Sequence, residues 1–169
     1  RNNIIATDHM RFVEAKLVER DARHARFGGS RYLLEPNIKE GKGGLRDLHI
    51  LHWLARHVYN AEVEGLVAMH LLTGAEYAAY ASAYRFLSRL RAHVHLAAGK
   101  PEERLTFGMQ QTLAARLHYQ GKTGNKAVER MMQEYFTTVT ATGSLTRILC
   151  ALLEEENKRK PYIPLGWLS

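Results

Sequence analysis

The chain has 169 residues, 46% of them hydrophobic and 24% charged, which is enough apolar material for one packed core and too much for a disordered tail. Its single cysteine, Cys150, excludes an internal disulfide framework and suits a reducing compartment, so a cytoplasmic location is expected. No apolar run approaches the roughly 18 residues of a membrane span, no leader pattern opens the chain, and the net charge of +7 favours anionic partners without choosing among them.

Helical periodicity begins at Asp8 and runs to about Phe27, with Gly28-Gly29 as the stop. Phe12, Val13 and Leu17 make only a thin apolar stripe, so this leading helix (residues 1–29, with Arg1 reading as a trimmed start) is expected to dock on something outside the chain. Residues 31–38 form the one stretch that reads as extended. Tyr32, Leu33 and Leu34 favour strand, and Pro36 drives Glu35 out of the helical region. A lone strand cannot stand by itself, so its sheet is also expected elsewhere.

Residues 30–47 hold the most unusual composition. Gly41, Gly43 and Gly44 fall among Lys39, Lys42 and Arg46 and among Glu35, Glu40 and Asp47, directly before a helix. Glycines let a backbone approach a ligand closely. A basic turn at a helix N-terminus can hold an anion through free N–H groups and the helix dipole. The plainer alternative is a tight connection whose charges only keep it soluble. It is not a Walker A loop. Gly41-Lys42 is followed by Gly43, and Gly121-Lys122-Thr123 would need a glycine where Arg116 stands.

Residues 48–160 read as the helical bundle proper. A helix from Gly44 to about Asn60 carries Leu48, Leu51, His52, Ala55 and Tyr59 on one stripe, and Val63 to Leu72 reads as a short helix. Thr73 with Glu76 makes a capping box opening a long central helix to about Ala98, closed by Gly99 and Pro101. A helix over Thr106 to Leu117 follows. A long C-terminal helix then runs from Lys126 to about Asn157, with Gly143 as a point of kinking or close packing. Pro161 and Pro164 make 161–169 an irregular tail. The expected fold is all-α, one domain over 1–169, an irregular bundle of about six helices.

The string from Leu34 to Leu48, Leu-Glu-Pro-Asn-Ile-Lys-Glu-Gly-Lys-Gly-Gly-Leu-Arg-Asp-Leu, resembles the signature of the bacterial bifunctional protein-PII uridylyltransferase and uridylyl-removing enzymes. Their variable slot is often proline; here it is Lys42. The resemblance continues through Arg23-His24-Ala25-Arg26-Phe27, through Phe86 to Leu96, through Gly99 to Phe107 and through Ala127 to Phe136, so it covers nearly the whole chain. It implies the helical domain that follows a nucleotidyltransferase core. In the intact enzyme it implies transfer of UMP from UTP to a tyrosine of the PII signal protein. It also implies Mg2+ held by an Asp-x-Asp pair of that core. Asp8, Asp21 and Asp47 are the only aspartates here, so the chain is expected to be inactive alone and to contribute no catalytic residue. The HD and ACT domains of the family are likewise expected to lie outside these residues. The implied partners are PII, UTP and the protein's own nucleotidyltransferase domain.

Within that resemblance the candidate nucleotide or phosphate edge is Lys39, Glu40, Lys42, Gly43, Gly44 and Arg46. Asp47, Arg91, His95 and Arg104 are expected as a supporting polar network, with Arg91 and His95 linking to Glu103 or to Asp47. Arg85, Arg89 and His93 share another stripe of the long helix, either a phosphate-facing row or a solvated face. His49 and His52 supply two of the three or four ligands a zinc site needs, so no metal site is expected in this chain. Cys150 reads as a core residue, with nothing near it to lower its pKa. The rival reading is a non-catalytic helical module that binds PII or another anionic partner through its basic face. No helix-turn-helix, RNP or zinc-finger pattern supports a nucleic-acid partner.

Overall fold

The computed structural model describes residues 2–121 and 124–159, so the expected tail at 161–169 lies outside it. The helices are α1 (Asn2–Arg26), α2 (Leu45–Tyr59), α3 (Gly65–Ala68), α4 (Gly74–Ala98), α5 (Phe107–Arg116) and α6 (Gly124–Arg159). The fold is an all-α helical bundle, with no strand among the described residues.

The helix ends follow local chemistry. Thr73 accepts from the N–H of Glu76 at 3.1 Å while the Glu76 carboxylate accepts from the Thr73 N–H at 2.7 Å, closing the capping box of α4. Gly99, at φ 66°, ends α4 and donates to the His95 carbonyl. Thr106 caps α5 by accepting from the Met109 N–H. The helix expected over 63–72 shrinks to the four residues of α3. His70 takes a left-handed φ of 56°, and Leu71 and Leu72 both donate to the Leu66 carbonyl, so the segment wraps the buried Leu66 as a turn.

The extended segment finds its partner inside the chain, which corrects the expectation of an outside sheet. The Ile38 N–H donates to Glu103 and the Leu105 N–H to Pro36, both at 2.8 Å, so a single antiparallel bridge pairs Asn37 with Arg104. Pro36 fits because the pairing uses its carbonyl and not the N–H it lacks. The buried Gln110 amide donates to the carbonyls of Leu34 and Leu105 and completes the junction.

Two cores flank α2. Ile38, Leu45 and Leu48 pack with Leu87, Leu90, Leu113, Met131, Tyr135 and Val139 from α4, α5 and α6. Ile50, Leu51 and Leu54 pack with Val13, Leu66, Leu72 and Leu145. Each fully buried leucine contributes roughly 1.5–3 kcal/mol, so α2 is fixed from both sides. The thin stripe of α1 is met within the chain, because Phe12, Val13 and Leu17 join the second core. α6 passes Gly143 without a break. A Cβ there would lie 2.7 Å from an Arg31 guanidinium nitrogen, so the glycine permits a close approach.

Candidate functional site

The glycine-rich turn is closed on itself. Gly41 donates to the Asn37 carbonyl, Gly44 to Gly41, Leu45 to Ile38, Arg46 to Lys39 and Asp47 to Gly44, at 2.9 to 3.0 Å. The Asn37 side chain accepts from the N–H groups of Lys39 and Glu40 at 3.0 and 2.7 Å. Gly43 holds φ +80°, and a Cβ on it would meet the Val139 carbonyl oxygen at 2.2 Å. A Cβ on Gly44 would meet the Ile38 carbonyl oxygen at 2.5 Å. These glycines let the turn press against α6 and against its own carbonyls. The donors that a helix N-terminus usually leaves open are spent internally.

The anion at this N-terminus is the chain's own. Asp47, 1% exposed, accepts from the Gly43 N–H at 2.7 Å, from Arg23 Nη2 at 2.5 Å and from His24 Nε2 at 2.9 Å. Arg23 also donates to the Glu40 carbonyl at 3.1 Å. Burial alone would raise the Asp47 carboxyl. Hydrogen bonds from His24 and Arg23, with their charges, outweigh it and hold the carboxyl below its usual range. The last turn of α1 is thereby bolted to the glycine turn and to the first turn of α2. Arg23 and His24 escaped sequence reasoning as partners of Asp47. One signal was available: along α1 the stripe Val13–Leu17–Arg20–His24 keeps helical spacing but turns basic, which demands a carboxylate where it is buried.

Around this bolt sit the other expected site residues. Arg46 donates to Glu40 at 3.1 Å and lies 5.8 Å from the Trp53 ring. Lys39 Nζ is 3.7 Å from the same Glu40 carboxylate. Lys42 is half-exposed and meets no carboxylate at ion-pair distance among the described residues. Lys39, Glu40 and Arg46 are therefore brought together, with Lys42 beside them on the turn.

The expected supporting network divides into three groups. Asp47 belongs to α1, as above. Arg91 grips Glu103 bidentately, with contacts of 2.6 to 2.9 Å, and His95 Nε2 is 3.5 Å from the same carboxylate. Of the two links open for Arg91 and His95, the structure takes Glu103. Burial would raise the Glu103 carboxyl, but the Arg91 hydrogen bonds and the charges of Arg91, His95 and Lys39 lower it. Arg104 stands apart, paired with Glu35 at 3.1 Å. Arg85 and Arg89 are exposed on α4. No group of three or more His, Cys, Asp or Glu that could hold a metal ion occurs among the described residues, and His52 instead lies 3.5 Å from Glu62. Cys150 is buried as expected, but Arg20 Nη1 lies 3.0 Å from its sulfur, so a cation does neighbour the thiol.

Fold and site together define an all-α domain that presents a basic, internally closed glycine-rich turn from the start of its second helix. The family described as GlnD PII-uridylyltransferase matches residues 11–150, and the chain belongs to it. It is 49% identical over 158 residues to a bifunctional uridylyltransferase/uridylyl-removing enzyme of Rhodospirillum rubrum, covering 93% of this chain and 17% of that protein. Proteins of the same description from Azospirillum brasilense (46% identical; 94% of this chain, 17% of the relative) and Ruegeria pomeroyi (51%; 85% and 16%) are also similar. The chain thus spans about a sixth of the length of the relatives it matches, at 17% for the first two. No solved structure matches it. No helix among the described residues is long and apolar enough to cross a membrane.

Proposed function

We propose that this chain is the helical wall of a uridylyltransferase active-site cleft. In the intact protein, a tyrosine hydroxyl of the PII signal protein attacks the α-phosphorus of UTP, the new phosphorus–oxygen bond forms, and pyrophosphate leaves. The observation that carries this reading is the arrangement of the turn. Its backbone is closed by internal hydrogen bonds, while Lys39 and Arg46 meet on the Glu40 carboxylate and the half-exposed Lys42 follows on the same turn. Such cations position phosphates or the acceptor and offset charge developing on the leaving group. Glu40 holds Arg46 in place. Gly43 and Gly44 serve the site by fixing the turn, because their N–H groups already have acceptors.

Magnesium is part of the proposal only through residues outside this chain. No group of three or more His, Cys, Asp or Glu among the described residues could hold it. The proposal includes that the chain alone is inactive and that the intact protein works in the cytoplasm. The second reading, a non-catalytic module for PII or another anionic partner, is favoured by the exposed Arg85 and Arg89.

UMP transfer by the intact protein carrying Lys39→Ala and Lys42→Ala separates the two. Loss of one or two charge-assisted contacts lowers kcat/KM about tenfold to about a thousandfold. Unchanged turnover and unchanged KM for UTP would sink the cleft-wall reading and leave the binding module.

A further inference from the structure

Between α2 and α4 lies a cleft of about 220 Å³, walled by Leu45 and His49 on one side and by Tyr84, Ser88, Arg91, Ala92 and His95 on the other. All five polar side chains of this lining can donate a hydrogen bond, and no carboxylate lines it. Glu103 takes Arg91 through Nε and Nη2, which leaves Nη1 without a protein acceptor among the described residues. The field is positive as well. Burial comes first in pulling the His49 imidazole below its ordinary value, and the charges of Arg46, His52, Lys39 and Arg91 push the same way. Of the fixed cations acting on His49, Arg91 lines the cleft while Lys39 and Arg46 do not, and the carboxylates Glu40 and Glu103 are each already paired.

We propose that this cleft binds a phosphate-type oxyanion, held by Ser88, Arg91 and His49. Size narrows the class. Sites for whole drug-sized ligands and cofactors run from roughly 300 Å³ upward, so the cleft takes a phosphoryl or diphosphoryl group and excludes a complete nucleotide. Two sources share that chemistry: free pyrophosphate, and the phosphate tail of a nucleoside triphosphate whose base lies outside the cleft. The inference stands on the residues that line the cleft, and the turn side chains Lys39 and Arg46 enter it only through their charge at His49.

The test is calorimetric titration of the full chain with inorganic pyrophosphate and, separately, with UTP. Each is repeated with Ser88→Ala, with His49→Gln, and with Arg116→Ala as a control at an exposed cation of α5. The expected result is saturable binding that weakens about tenfold in each cleft variant, the size of one hydrogen bond to a charged group, and is unchanged in the control. Equal affinity for the two ligands assigns the cleft to free pyrophosphate. Tighter binding of UTP that is still lost in the cleft variants assigns it to a nucleotide tail. No saturable binding of either ligand, or binding that the cleft variants leave intact, overturns the proposal. Pyrophosphate binding that persists while UMP transfer ignores the turn lysines would keep the cleft and discard the cleft-wall reading of the turn.

Discussion

Replacing Asp47 by alanine is the sharpest perturbation of the glycine turn. The carboxylate is 1% exposed and its partner Arg23 is 8% exposed, so the pair lies out of water. Deleting one member of a buried pair leaves the other charge uncompensated, at about 3–5 kcal/mol. The Gly43 N–H loses its acceptor at the same time, a penalty of about 1–3 kcal/mol that partly overlaps the first. The expected loss is therefore about 4 kcal/mol, a large share of the roughly 5–15 kcal/mol that holds a domain folded. Urea unfolding followed by circular dichroism measures it. With m of about 2 kcal/mol/M, the midpoint falls by about 2 M at unchanged m. The double variant Arg23→Met, Asp47→Leu removes the orphaned charge and is expected to recover a good part of the loss. A loss below about 1 kcal/mol for Asp47→Ala, the size of an exposed pair, would refute the picture of α1 bolted to the turn.

Acid should expose the same group. The Asp47 carboxyl is held low in the folded state. Its stabilisation is therefore full above the unfolded value of about 3.9 and is lost as pH falls through the folded value. Stability below about pH 4 should fall less steeply in Asp47→Asn than in the parent chain, and equal slopes would contradict the assignment. Gly43→Ala must shift backbone, since its Cβ would sit 2.2 Å from the Val139 oxygen at φ +80°. A cost of about 1–3 kcal/mol lowers Tm by roughly 2 to 12 °C in a chain of this length. Gly29→Ala, at φ +67° with open space around it, should cost about 1 kcal/mol. Equal Tm values for the two variants would show that packing against α6 is not what Gly43 serves. Thr73→Ala breaks the capping box and should cost about 0.5–2 kcal/mol in the same scan; no change would mean that the start of α4 does not depend on it.

Legibility differed with the range of the interaction. The start and end of α4 could be read from Thr73, Glu76 and Gly99 because caps are local chemistry within one turn. The length of α3 could not, because apolar spacing over Val63 to Leu72 suits a turn around a buried leucine as well as a helix. Tyr32 to Leu34 suggested a strand, but propensity carries no information about a partner, and the only pairing in this segment is the single bridge from Asn37 to Arg104. The motif itself was legible to the residue. What it does with its N–H groups was not, because the acceptor Asp47 and the cations Arg23 and His24 meet across 23 and 24 positions of chain, beyond any periodic signal. Arg91 and His95 had two candidate carboxylates, and the bridge that carries Glu103 beside α4 decided between them.

Amide hydrogen exchange at Gly43, Gly44, Leu45 and Arg46 tests the central claim most directly, that the turn is a closed platform working through its side chains. The account predicts slow exchange, approaching that of the core helices, because each of these N–H groups has an internal acceptor. It also predicts that protection at Gly43 collapses in Asp47→Ala. Exchange at the rate of an unstructured peptide in the parent chain would mean that the turn is open, with its donors free for a ligand after all.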